Sequence, residues 1–136
     1  MDVRRLLFQG PRSGRAATAA LAARIVAGVV FISFGIGKFT HHADEVASFD
    51  DYGLPSPDAT VYAIGVLEVV GGAMLVLGLG TRIAAFLLAC NMATAIVVSG
   101  IALGEWVSLT IAPLQFVLCL FLLRAGPGRR ALDPEP

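Results

Sequence analysis

An all-α, antiparallel bundle of four membrane-spanning helices, with both termini on the cytoplasmic side, is the fold class the sequence predicts. Three observations lead there. The 136 residues are 57% apolar and 15% charged, with a mean hydropathy of +0.79, which leaves too few polar groups to clothe a soluble domain of this size. The apolar residues gather into four runs, each close to the roughly 20 residues a helix needs to cross a hydrocarbon layer about 30 Å thick. Arginine and the acids fall in alternate connections although the formal net charge is zero, and that alternation sets orientation.

Residues 1–17 carry Arg4, Arg5, Arg12 and Arg15 among Gly, Pro and Ser, and are expected to form a flexible cytoplasmic tail. A secretory signal is not expected, because the apolar run that follows is too long and continues through Arg24 without a cleavage signal. The first span covers residues 18–39. Within it Arg24, Gly28, Phe31, Gly35 and Lys38 recur at alternating four- and three-residue steps, so two cations and two glycines share a stripe that should face the bundle.

The connection over residues 40–58 is the long one. Val46, Phe49, Tyr52 and Gly53 predict a short amphipathic helix at the outer interface, stopped by Gly53 and Pro55 and able to cap the bundle. The second span, residues 59–79, holds Glu68 near its centre with Gly65 and Gly72 on the same face. A central ionised residue costs about 2.5 to 3.5 kcal/mol on insertion, which the surrounding Val, Leu, Ile and Met offset at about 0.3 to 0.6 kcal/mol each. That face therefore meets protein. Gly80-Thr81-Arg82 is so short a turn that the third span, residues 83–101, must return beside the second. The fourth covers residues 106–123, with a bend expected at Pro113, and residues 125–136 form a second cytoplasmic tail.

Orientation follows from Arg82 and from Arg124, Arg129 and Arg130, which lie on the same side as the N-terminal arginines. The opposite connections carry Asp44, Glu45, Asp50, Asp51, Asp58 and Glu105. Tyr52, Tyr62 and Trp106 fall near the outer boundary, where an aromatic belt belongs.

Counting residues inward at about 1.5 Å each puts Glu68 about 13 Å, Gln115 about 12 Å and Asn91 about 16 Å below the outer face, with Arg24 deeper at roughly 20 Å. Three readings of this polar layer stay open. The groups hydrogen-bond one another and hold the helices together; or Glu68 with Arg24, Asn91, Gln115 and Lys38 lines a pocket for a small polar or quinone-like head group; or Glu68 is simply protonated and packed. Arg24 itself either stretches toward Glu68 or snorkels to the cytoplasmic surface.

Other chemistry is not expected. No basic patch suits nucleic acid, and His41-His42 with Asp44 and Glu45 lacks a metal-ligand spacing, so no metal site is assigned. Cys90 and Cys119 lie in apolar runs and point apart, which disfavours a redox pair. No nucleophile elbow, phosphate loop, HExxH or CxxC is present, so no self-sufficient catalytic motif is visible.

In order along the chain stand Arg24, Phe31, Gly35-x-Gly37-Lys38-Phe39, Gly53-Leu54-Pro55, Glu68-x-x-Gly71-Gly72, Leu77-Gly78-Leu79-x-Thr81-Arg82, Met92 and Ala95. This ordered set, over about residues 22 to 100, resembles the DoxX family of small four-span membrane proteins. The resemblance implies a multi-pass protein of the bacterial inner membrane. Because the family takes its name from a subunit of a thiosulfate:quinone oxidoreductase, it also implies redox or oxidative-stress work coupled to quinone. The partners expected are the lipid bilayer, a redox enzyme and further copies of the chain. Two other classes stand beside this: a non-catalytic anchor or assembly partner for soluble enzymes, and a small-solute transporter.

Overall fold

The computed structural model describes residues 2–134. Six α-helices follow one another: α1 (Val3–Phe8), α2 (Gly14–Thr40), α3 (His42–Asp51), α4 (Pro57–Leu77), α5 (Thr81–Ala95) and α6 (Trp106–Ala125), with α5 prolonged by a π-helical segment, Ile96–Ile101. Four crossings are long and apolar enough to span a membrane: α2, α4, α5 with its π-helical extension, and α6. No strand occurs among the described residues. Val26, Val29, Val66, Val70, Phe86 and Leu114 are exposed around the girth, a lipid-facing surface for an integral membrane protein.

Local chemistry sets the helix ends. Pro57 occupies the first turn of α4, where its missing N–H costs nothing. At the other end Gly78 turns left-handed (φ 67°), and the N–H of Leu79 reaches back to the carbonyl of Met74 at 2.9 Å, closing the helix in a Schellman turn. Glu105 caps α6, its carboxylate accepting from the N–H groups of Val107 (3.1 Å) and Ser108 (2.7 Å). Burial pushes the Glu105 carboxyl up, but the Ser108 hydroxyl and these two N–H groups prevail and hold it below its usual range.

The spans alternate in direction, as the hydropathy pattern predicts. α2 lies closest along α4, and α5 along α6, while the two pairs meet over a smaller surface. Glycines set the first of these contacts. A methyl group on Gly28 would sit 2.7 Å from the carbonyl of Gly72, and one on Gly72 would sit 2.7 Å from the carbonyl of Gly28; Gly35 faces Val69 and Gly65 in the same way. Two backbones touch there because no side chain intervenes. The core between the pairs is made of Ala23, Ala27, Phe31, Leu75, Ala85 and Leu88 with their neighbours.

At the end that carries both termini, hydrogen bonds tie the two terminal segments to the bundle and to each other. The Arg12 guanidinium donates to the carbonyls of Gly128 (3.1 Å), Asp133 (2.5 Å) and Pro134 (2.9 Å), and Arg82 donates to the carbonyls of Leu6 and Arg124. Asp133, 3% exposed, accepts from the N–H groups of Gly80 (2.5 Å) and Thr81 (3.0 Å) and so caps α5. The α4–α5 turn offers unpaired N–H and carbonyl groups, and the C-terminal segment satisfies them.

At the opposite end α3 lies over the bundle. The His42 ring stacks on Tyr62 with centroids 3.9 Å apart, and its Nε2 lies 2.6 Å from Asp58 Oδ1. The hydrogen bond to Asp58 first, and then the Lys38 carbonyl, raise the imidazole above its ordinary value of 6.5 against the opposing effect of burial.

Gly72→Val forces α2 and α4 apart and should lower stability by about 1–3 kcal/mol in detergent unfolding titrations. Gly37→Ala, whose methyl meets open space, should be neutral or stabilising by up to about 1 kcal/mol. Because the folded state raises the His42 value, the His42–Asp58 clasp is complete below pH 6.5 and fades as pH rises through the raised value. Amide exchange in α3 should therefore quicken across that interval, and Asp58→Asn should return the His42 titration, followed by NMR, to near 6.5.

Candidate functional site

Glu68 lies on the face of α4 that turns toward the other helices, 3% exposed. Two neighbours engage it. Asn91 of α5 donates from Nδ2 to Glu68 Oε1 at 2.9 Å, and Lys38 of α2 places Nζ 3.2 Å from Glu68 Oε2. Lys38 Nζ also lies 3.9 Å from Glu45 Oε2 of α3. A carboxylate, an ammonium and a second carboxylate thus form a row from mid-depth to the loop end. Helix geometry explains why Lys38 makes the link. Side chains tilt toward the N-terminus of their own helix, so Lys38 on α2 leans inward from the outer edge. Glu68, on the antiparallel α4, leans outward to meet it.

The same rule corrects the expectation for Arg24. Its guanidinium leans toward the start of α2, away from Glu68, and donates to the carbonyls of Leu75 (3.3 Å) and Arg129 (2.5 Å). Arg24 is fully buried yet belongs to the terminal end, neither paired with Glu68 nor snorkelled to the surface. Gln115 of α6 is buried beside the polar layer and donates from Nε2 to the Ala27 carbonyl at 3.1 Å, tying α6 to α2.

Glu68, Lys38, Asn91 and Gln115 all line a cavity of about 370 Å³. All four crossings and α3 contribute to its wall. Phe31, Phe34, Phe49 and Tyr52 supply aromatic surface, while Ser99, Ser108 and Glu105 add polar groups to the wall. Ser99 Oγ donates to the Ala95 carbonyl at 2.7 Å and lies 2.5 Å from Ser108 Oγ. Burial, with the Glu105 and Glu45 carboxylates nearby, pushes the Tyr52 phenol above its usual value, so it offers a neutral hydroxyl. From the sequence Glu45 is weighed only with His41, His42 and Asp44 and among the acids of the outer connections, not as a pocket residue, and Ser99 is not singled out. Glu45, Phe49 and Tyr52 recur at helical spacing and mark the inward face of α3, a signal that would have found the carboxylate. Nothing in the sequence marks Ser99 and Ser108 as a pair.

This arrangement suits an uncharged or weakly polar ring: apolar and aromatic walls to receive it, and donors and acceptors converging at one depth to orient it. Comparison with known proteins agrees with the architecture. A family model described as DoxX matches residues 19–100. The chain is 34% identical over 125 residues to Rv3486 of Mycobacterium tuberculosis, described as an "uncharacterized membrane protein", a match that covers 81% of this chain and 76% of that protein. It is 30% identical over 114 residues, 84% of each chain, to the Bacillus subtilis protein named "Putative oxidoreductase CatD". A third relative, from Haemophilus influenzae, is 34% identical over 120 residues, 81% of this chain and 84% of its own. No solved structure matches the chain. With residues 19–100 under the family model and relatives that align along most of their length, this chain belongs to the DoxX family.

Proposed function

We propose that this protein is an integral membrane subunit of a quinone-linked redox or oxidative-stress system in the bacterial inner membrane, with both termini in the cytoplasm. Its cavity receives the quinone ring. The observation that carries this reading is the convergence of Glu68, Lys38, Asn91 and Gln115 on one aromatic-walled cavity of about 370 Å³. A quinone ring has carbonyl acceptors at opposite ends and apolar faces between them. Lys38 and Asn91 are donors at the floor, the Tyr52 hydroxyl is a donor nearer the mouth, and phenylalanines cover the faces. Its isoprenoid tail is at home among the exposed apolar side chains of the crossings. The oxidoreductase name of the Bacillus relative is consistent with redox work.

The test is composition. Protein purified in mild detergent and extracted with organic solvent should yield quinone by mass spectrometry. Glu68→Gln removes the carboxylate that positions Lys38 and Asn91 and should weaken quinone retention, and Lys38→Met, which removes a charged donor worth about 1.5–3 kcal/mol, should reduce it by roughly 10- to 100-fold. A wild-type extract without quinone would refute the reading.

A second reading, of a non-catalytic anchor, draws on one feature. Arg4, Arg5, Arg15, Arg124, Arg129 and Arg130 are exposed at the terminal end, a basic surface suited to an acidic soluble enzyme. Substituting these arginines should then release the partner in a pull-down while leaving the quinone content unchanged.

A further inference from the structure

The polar row that begins at Glu68 runs to one end of the bundle only. Side-chain exposure rises along it, from 4% at Glu68 through 11% at Lys38 to 34% at Glu45, with successive nitrogen–oxygen separations of 3.2 and 3.9 Å. Toward the terminal end there is no counterpart among the described residues. The layer between Glu68 and the Arg24 guanidinium is packed by Ala23, Ala27, Phe31, Leu75, Ala85 and Leu88, all buried and apolar, and its one polar side chain, Gln115, does not titrate and is tied to the Ala27 carbonyl. Beyond that layer Arg24 is engaged by backbone carbonyls, not by an acid–base partner leading inward.

We infer that Glu68 exchanges protons with water at the loop end through Lys38 and Glu45, and is closed to protons from the terminal end. The inference rests on the cavity described above but needs no ligand in it. In the inward step a proton leaves Lys38 Nζ for Glu68 Oε2: one N–H bond breaks and one O–H bond forms, with the ammonium and carboxylate becoming a neutral amine and acid. The Glu45 carboxylate takes a proton from hydronium at the mouth of the cavity and passes it to the amine lone pair, so that Glu45 ends as a carboxylate and Lys38 as an ammonium. No electron moves, and the outward step is the reverse. The contacts are short enough for transfer with small side-chain motion, and chains of acids and bases within a bundle are a recurrent proton route across apolar surroundings.

Each element packed around Glu68 contributes to its charge environment. α2 presents Lys38, with Arg24 facing the other end; α3 presents Glu45 and Tyr52; the head of α6 presents Glu105. α5 presents the non-titrating Asn91, while Cys90 is exposed on its other side and Cys119 of α6 lies buried in the apolar layer. Glu105 is committed to the first turn of α6, which leaves Glu45 as the carboxylate in reach of Lys38. A quinone reduced or oxidised in this cavity would accordingly draw or discharge its protons on the loop side.

The experiment follows the Glu68 carboxyl stretch by time-resolved infrared spectroscopy after a pH jump, with full-length protein in vesicles sorted for orientation by protease access to the termini. The band is assigned by its loss in Glu68→Gln. It should respond to a jump on the loop side and stay unchanged after a jump on the terminal side. Glu45→Gln, a substitution at the half-exposed rim, should slow the response by roughly 100-fold without abolishing it, and Lys38→Met should slow it at least as much. A response to the terminal side, an unchanged rate in Glu45→Gln, or a band that follows neither side would overturn the relay. Failure of the quinone reading would show separately, as an empty extract from a protein whose carboxyl band still follows the loop side.

Discussion

The close approach of α2 to α4 is the constraint from which the rest of the structure follows. Glu68 is buried in the middle of an apolar crossing, and an ion there requires a partner within a few ångströms. Lys38 supplies it at 3.2 Å, and Lys38 is in reach because Gly28, Gly35, Gly65 and Gly72 let the two backbones touch. Such a pair adds little net stability. The desolvation of two charges consumes most of the Coulombic gain, and a well-packed apolar substitute is often as stable. Its physical consequence is polar surface at mid-depth in a place that would otherwise be hydrocarbon.

The two ends of the bundle solve the same problem differently. At the terminal end charged side chains are engaged by main chain, the Arg24 guanidinium by the carbonyls of Leu75 and Arg129 and the Asp133 carboxylate by the N–H groups of Gly80 and Thr81. At the loop end the groups are side chains of five different elements, and they surround space. The contrast between a closed end and an open one gives the molecule a direction.

The bundle was legible in the sequence because hydropathy is a one-dimensional signal and a membrane span uses it directly. Counting residues puts Glu68, Asn91 and Gln115 at one level of the bundle, and all three line the same cavity. The partner of Glu68 was not legible. Arg24 and Lys38 share one stripe of α2, and counting α-carbons makes Arg24 a candidate from below. The side chains of that helix all lean toward its start, which carries Arg24 away from Glu68 and brings Lys38 to it. The contacts of the terminal segments were not legible either, because they run from arginine to carbonyl and from carboxylate to N–H, which leave no periodic trace.

The position of the cavity follows from how the four crossings are paired. Glycines draw α2 and α4 together. At the loop end α5 is drawn to α6 by the Ser99–Ser108 hydrogen bond and by Gly100, where an added methyl would sit 3.1 Å from the Ser108 carbonyl. That contact falls within the π-helical segment Ile96–Ile101, a widened turn of the kind often found beside sites. The extra residue per turn rotates Ser99 onto α6, and Val98, Ala95 and Thr94 line the cavity beside it. Each pair is therefore tight within itself, and the free volume collects between them. Deep in the bundle alanine, leucine and phenylalanine fill that gap. Toward the loop end the helices have α3 above them, and the gap stays open around Glu68.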